Sequence, residues 1–319
     1  MPWAFCRRAT SRAMSPASSM GASYRRKGRV VQHPLLRYLP RAVAEIPLIL
    51  VANDDGVEAL GNKLLREALR PLGDVYTVAP RREQSTNSHA LTLHKPLRLT
   101  KMEDRVFAVD GTPADCTYVA LFHSDLLPRT PDIVVSGINR GPNLGNDIHY
   151  SGTVAAAREA AFRGIPSVAF SALTEDNLPQ CVELATDIVA RLLDVSIGDG
   201  PAPLLNVNFP AGEIAGIRVT RLGRRAYQDM ISVRTDPRGS DYMWIGGPGP
   251  KPHEQIDGSD TEAVDEGWAS VTPLDLDATH GDHFGIAAWV AGERDAETDD
   301  ADDNTDDNTD DGKNEEKSG

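Results

Sequence analysis

Cysteine, lysine and long apolar runs are all scarce in this chain, and each shortage closes off a class of protein. The three cysteines, Cys6, Cys116 and Cys181, are odd in number, far apart and in no CxxC pair. That argues against a disulfide framework and against a thiolate zinc site. No apolar run approaches the roughly 20 residues that a membrane-spanning helix needs. The N-terminus carries Arg and Ser but no apolar core segment, so it makes a poor secretory signal. It superficially resembles a transit peptide. A disordered basic leader over 1–45, or a start placed too early with Met14 or Met20 as later starts, accounts for it better. The expectation is a cytoplasmic protein with no membrane partner. Lysines number seven against 26 arginines. With abundant Asp, this composition fits a cytosol of high ionic strength, where salt screens self-repulsion. A mesophilic protein that happens to carry an acidic tail is the plainer alternative.

Several catalytic signatures are also missing. There is no GxxxxGK[ST] loop and no GxGxxG after the first strand, which weighs against an NTPase or a dinucleotide enzyme. Neither a GxSxG elbow nor an HExxH pair occurs. The first acidic loop also lacks an Asp-x-Asp spacing, so an aspartyl-nucleophile phosphatase is disfavoured. The eight histidines show no i, i+4 pairing, and each reads as a surface or packing residue. His149 is a minor exception, because it lies inside a loop of interest.

What is present is distributed unevenly. Residues 1–45 hold nine Lys/Arg and one acid, a net of +8, whereas 293–319 hold thirteen acids and three bases, a net of −10. The body between them carries 21 bases and 33 acids, a net of −12 within the −14 of the whole chain. An acidic body repels phosphate backbones, so a nucleic acid polymer is not an expected partner. If the substrate is a phosphate ester, a cation must offset the repulsion. The tail 293–319, rich in Asp, Asn and Thr, reads as disordered.

The ordered body begins at Ile46. Ile46 to Ala52 is a short, nearly continuous apolar run, the mark of a buried parallel strand. After the turn Asn53-Asp54-Asp55-Gly56, Leu60, Leu64, Leu65, Ala68 and Leu69 fall on one helical face. Val75 to Ala79 is a second strand, so a βαβ unit is predicted. The alternation recurs with strands at 132–136, 167–170 and 204–209 and helices at 154–164 and 181–194. The expectation is an α/β fold, a three-layer Rossmann-like and mostly parallel sheet over 46–210. Residues 211–292 then form a β-rich appendage, suited to oligomerisation, and a final helix at about 280–291.

In open α/β sheets, ligands gather at the C-terminal ends of parallel strands. Three loops lie there, at 53–56, 80–89 and 136–153. The first places Asp54 and Asp55 side by side, and like charges so close repel unless a hard cation such as Mg²⁺ or Mn²⁺ is shared. Alone, Asp-Asp-Gly is a weak signal and is more often an ordinary turn. The second loop mixes Arg81 and Arg82 with Ser85, Asn87 and Ser88, and by itself reads as readily as a polar surface loop. The third is the most specific. Its glycines at 137, 141, 145 and 152 allow close backbone approach to a ligand. Ser151-Gly152-Thr153 precedes a helix whose amide N–H groups would suit a phosphate. An irregular loop this long is uncommon unless functional.

These segments resemble, in order, the motifs of the SurE survival-protein family of nucleotidases. The matching pieces are Leu50 to Gly56, Asn87 to Leu93, Gly111 to Cys116, Val135 to Asn139, Asn143 to Gly145 and Tyr150 to Ala157. Asn206 to Pro210, Gly216 to Thr220, Asp236 to Gly239 and Ala263 to Gly267 continue the series, so the resemblance covers roughly 46–290. It implies one divalent ion per subunit, held by Asp54, Asp55, Ser85 and Asn139. It also implies Asp54 and Asp55 as the catalytic carboxylates, with Asn143, Ser151, Gly152 and Thr153 seating a phosphate. The implied activity is phosphate removal from nucleoside 5′- or 3′-monophosphates in a homodimer or homotetramer built through exchanged C-terminal β elements. Action on polyphosphate or another phosphorylated metabolite is the alternative, and a non-catalytic nucleotide-binding module a more distant one.

Overall fold

A computed structural model of the chain describes residues 24–26, 29–31, 45–195, 200–225, 227, 230–246, 254 and 256–292. The tail 293–319 and most of the leader lie outside these. Within the leader, β1 (Tyr24–Arg26) and β2 (Arg29–Val31) pair antiparallel.

All five residues of β3 (Leu48–Ala52) are buried, as a strand covered on both faces requires. Successive side chains point to opposite faces, and this alternation builds two cores. Ile49 and Val51 join Leu65 and Leu69 of α1 (Leu60–Leu69) and Cys181 and Ala185 of α4 (Leu178–Leu193). Leu50 points the other way, into a cluster with Cys116 and Ala120 of α2 (Pro113–Phe122) and Ala160 of α3 (Gly152–Ala161). Helices therefore cover both faces, the three-layer arrangement expected from the sequence. Cys116 and Cys181 sit in different layers as buried free thiols. Burial pushes both up, Cys181 to about 12.

Six strands run parallel in the order β9 (Leu204–Phe209), β8 (Ser167–Ala172), β7 (Ile133–Arg140), β3, β4 (Asp74–Pro80), β6 (Val106–Val109). The chain winds from β3 through β4 to one edge, then returns to β7 on the other side of β3. Neighbours β3 and β7 thus mark the switch point, and the crevice above their C-terminal ends is where ligands of such sheets bind.

The sequence pattern left three elements of this core unassigned. They are β5 (Leu99–Glu103), which pairs antiparallel with β6, together with β6 and α2. β5 is short and largely exposed and β6 has only four residues, so neither shows a clear apolar period. The N-terminus of α2 is marked by Thr112-Pro113 and Asp115, where Thr112 and Asp115 form a reciprocal capping box.

Beyond β9 the chain turns to short strands, as its composition implies, and these are of two kinds. Strand β13 (Ala269–Leu274) pairs antiparallel with β9, and β10 (Ile217–Val219) pairs with β13, so both extend the main sheet to nine strands. Helix α5 (Asp260–Asp265) precedes β13. β11 (Ile231–Thr235) and β12 (Asp241–Ile245) form a separate two-stranded hairpin. The described residues from Asp277 to Gly292 belong to a second unit, containing α6 (Phe284–Ala291). No helix among the described residues is long and apolar enough to cross a membrane.

Candidate functional site

The loop after β3 is shaped by Asn53, whose amide donates to the Gly56 carbonyl at 2.8 Å. That turn holds Asp54 and Asp55 at the switch point. Asp54 is 4 % exposed. It lies at the N-terminus of α3, where the helix dipole favours a negative charge. The Thr153 hydroxyl donates to Asp54 Oδ1. Gly152 passes so close that a Cβ there would stand 2.8 Å from the Asp54 Cβ. Asp55 Oδ2 accepts the Arg140 N–H at 2.9 Å.

Strand β7 delivers the next groups. Gly137, at φ +131°, passes under the Phe170 carbonyl, where any Cβ would collide. Two residues on, the Asn139 amide nitrogen donates to the Gly141 carbonyl at 2.7 Å. That bond fixes the amide and leaves its carbonyl oxygen as an acceptor. Asn143 is held more firmly still. Its N–H donates to Asn208 Oδ1 at 2.7 Å, its carbonyl accepts from Asn206 at 2.8 Å and Asn208 at 3.1 Å, and its amide donates to Ser171 at 2.8 Å. Neighbouring strands β8 and β9 thereby lock the loop.

The loop after β4 arrives against these two. Gln84 N–H donates to the Asp54 carbonyl at 2.8 Å. Ser88 N–H donates to the Tyr150 carbonyl at 3.1 Å, and its hydroxyl to the His149 carbonyl at 2.5 Å. His149 thus contributes its backbone. His89 pairs with the buried Glu159 of α3 at 2.9 Å, a further clasp between the same two segments. Burial pushes Glu159 up, but its bonds from His89 and Arg163 win, and the carboxyl ends below its ordinary range. Ser85, on the exposed part of this loop, donates to Glu83 at 2.8 Å. A hydroxyl so oriented keeps its oxygen lone pairs for another partner. Arg81 is turned aside to Thr100.

A cavity of about 930 Å³ opens between the three loops, and Asp54, Ser85, Asn139, Asn143 and Ser151 all line it. A smaller cavity of about 190 Å³ adjoins it, lined by Asp55, Glu83, Asn139 and Arg140. Asn139 therefore stands between the two aspartates. Gly152 and Thr153 lie behind Asp54, where Thr153 buttresses the carboxylate. Arg140 touches both cavities, and only the fold brings its backbone N–H to Asp55.

The electrostatics favour a cation. Burial pushes Asp54 up, against bonds from Thr153, and Glu83 adds to the rise. Burial likewise lifts Asp55 to about 6, with Asp54, Glu83 and Glu175 adding to it and the Arg140 N–H opposing. A positive charge between the carboxylates would offset both the burial and the repulsion. Among the described residues no three His, Cys, Asp or Glu side chains converge on a metal position. A cation here would meet two carboxylates and neutral hydroxyl and amide oxygens. That donor set, free of sulfur and imidazole, fits Mg²⁺ or Mn²⁺.

A doubly wound sheet with an oxygen-lined, cation-seeking cleft at its switch point defines a ligand-binding α/β protein. The family model described as survival protein SurE matches residues 49–229. A relative from Sorangium cellulosum (strain So ce56), named 5′-nucleotidase SurE, is 52 % identical over 250 residues, 77 % of this chain and 96 % of the relative. Another of that name, from Syntrophotalea carbinolica, is 49 % identical over 236 residues, 73 % of this chain and 93 % of the relative. The crystal structure of the SurE protein from Aquifex aeolicus covers 77 % of this chain and 100 % of its own, at 41 % identity and a TM-score of 0.67. The chain belongs to the SurE family.

Proposed function

We propose that this chain is a 5′-nucleotidase, a divalent-metal-dependent phosphomonoesterase acting on nucleoside monophosphates. Its family membership supports the activity, since the curated relatives carry that name. The observation that carries the site is the convergence of Asp54, Ser85 and Asn139 on one cavity at the switch point, with Asp55 alongside.

In this reading Asp54, Asp55, Ser85 and Asn139 hold one Mg²⁺ or Mn²⁺. When bound, such an ion polarises a phosphoryl oxygen and lowers the pKa of a nearby water. Asn143 and Ser151 hold the phosphate in the larger cavity. Thr153 fixes the Asp54 carboxylate, and Arg140 holds Asp55 through its backbone N–H. Asp54 or Asp55 orients the attacking water and accepts its proton. The protein works as a homodimer or homotetramer. The β11–β12 hairpin, whose Val233, Met243 and Trp244 are exposed, supplies apolar surface for that contact.

Phosphate release from nucleoside 5′- and 3′-monophosphates, tripolyphosphate and a sugar phosphate, with EDTA or with added Mg²⁺ or Mn²⁺, tests the reading. Metal-dependent release, highest on a nucleoside monophosphate, is the expected result. Preference for tripolyphosphate would shift the substrate class, and release undiminished by EDTA would remove the metal from the account.

A further inference from the structure

The large cavity has two chemically different ends. One is the oxygen-lined rim of Asp54, Asn139, Asn143 and Ser151. The other is built by Tyr227, Met230, Ile231 and Ile245, from the approach to β11 and the end of β12. These residues are exposed, from 44 % for Tyr227 to 93 % for Ile245. At about 930 Å³ the space far exceeds a phosphate and lies within the roughly 300–1,000 Å³ of small-molecule sites. A bare phosphate or polyphosphate has nothing to offer an apolar wall. A flat, weakly polar ring joined to a phosphate does.

One residue ties the two ends together. Asp147 sits in the loop that follows β7, four residues after Asn143. Its Oδ2 accepts both Arg225 Nη1, at 2.5 Å, and the Tyr227 hydroxyl, at 2.6 Å. Asp147 and Arg225 are both largely buried, with side chains 16 % and 13 % exposed. The Arg225 guanidinium also lies over the Tyr227 ring, 5.4 Å from guanidinium carbon to ring centre. Burial, with the bond to Asp147, pushes the Tyr227 hydroxyl up to about 12 and keeps it a donor. One step away, Asp260 bonds Gly145 N–H at 2.9 Å and Gly223 N–H at 2.7 Å, joining the same two segments by their backbones. The 221–227 segment is thus latched to the phosphate end at two points, and only the Asp147 latch ends on a residue of the apolar wall.

We propose that Tyr227, Met230, Ile231 and Ile245 form the surface that receives the nucleobase. Asp147 is then the positioning residue that sets this surface at the right distance from the phosphate end. The proposal rests on the nucleotidase reading above and deepens it. It makes discrimination between nucleotides and smaller phosphate esters a property of the Asp147–Arg225–Tyr227 latch, separate from the aspartates that carry the chemistry. Ring contact strengthens binding, and its loss raises KM while leaving kcat nearly as it was, the signature of uniform binding.

The test uses the full chain with saturating Mn²⁺. Steady-state kcat and KM are measured on a nucleoside 5′-monophosphate and on glycerol 2-phosphate, which has no ring. Wild type is compared with Asp147→Ala, Tyr227→Phe and Ile231→Glu. In all three variants the nucleotide KM rises, by tenfold or more in Asp147→Ala and Ile231→Glu, and kcat changes less than threefold. The loss in kcat/KM on glycerol 2-phosphate is at least fivefold smaller than on the nucleotide. Asp147→Glu, which keeps the acceptor, recovers part of the nucleotide KM. An unchanged nucleotide KM, or equal losses on the two substrates, would overturn the proposal. Ile231→Glu sits on an exposed strand and guards against a folding artefact in Asp147→Ala. Wild type that turned over glycerol 2-phosphate but no nucleotide would instead overturn the nucleotidase reading, and the base surface with it.

Discussion

At the scale of single residues, the site works by placing carboxylates where they are unstable alone. Asp54 and Asp55 are both raised by burial, so in the proposed site removing either should lower the affinity for a cation. Metal stabilisation of transition-state charge amounts to several kcal/mol, so Asp55→Asn should slow Mn²⁺-dependent phosphate release by about 100-fold or more. Asp55 is not in the hydrophobic cores, and the melting temperature without metal should stay close to wild type. Differential scanning calorimetry beside a phosphate assay checks both halves. Thr153→Val removes the hydroxyl that bonds Asp54 and leaves a buried acceptor unpaired. It should cost about 1–3 kcal/mol of stability, read from urea unfolding, and should weaken Mn²⁺ as well. The adjacent aspartates were visible in the sequence, as was the serine-glycine-threonine turn. The division of labour within that turn was not. A sequence shows that Thr153 starts a helix, and only the packing of α3 against the β3 loop shows that its hydroxyl serves Asp54. Asp147 and Tyr227 were equally hidden, since their contact spans 80 residues of chain.

At the scale of elements, the strands of the sheet fix the loops, and buried polar side chains fix what the strands cannot reach. Asp260, at the start of α5, is fully buried and bonds Gly145 and Gly223 through their N–H groups. Asp260→Ala leaves two buried donors unpaired, at about 1–3 kcal/mol each. Urea unfolding should therefore show a clear loss, together with weaker nucleotide binding. Burial raises the Asp260 carboxyl above its ordinary 3.8, against several backbone N–H bonds. Its folded value thus exceeds its unfolded one, so its contribution is fully present below 3.8 and falls as pH rises through the folded value. Asp260→Asn, which cannot ionise, should lose this dependence. Unfolding free energies taken upward from pH 4 should converge between wild type and Asp260→Asn, and a constant gap would contradict the assignment. The long apolar strands β3, β7, β8 and β9 were legible because burial on both faces leaves a continuous apolar run. The short β5 and β6 were not. Nor was the destination of β10 and β13, since strands that extend a sheet and strands that leave it share one composition.

At the scale of the molecule, an acidic protein that handles an anionic substrate must supply a cation or repel it. The three loops converge from positions as distant as Asp54 and Ser151 because the sheet reverses its winding between β3 and β7. The hairpin face that carries Ile231 and Ile245 continues with Val233 and Met243, 59 % and 65 % exposed, while Trp244, 63 % exposed, lies on the other face. Trp244→Glu should shift the protein towards a smaller assembly in light scattering after size exclusion, and unchanged mass would place the subunit contact elsewhere. The central claim, that oxygen donors from three separate loops make one cation site, is tested most directly by Mn²⁺ titration followed by electron paramagnetic resonance. Wild type should bind one Mn²⁺ per chain in an all-oxygen environment, and Asp55→Asn and Asn139→Ala should each weaken it at least tenfold. Binding that is equally tight in both variants would contradict the account.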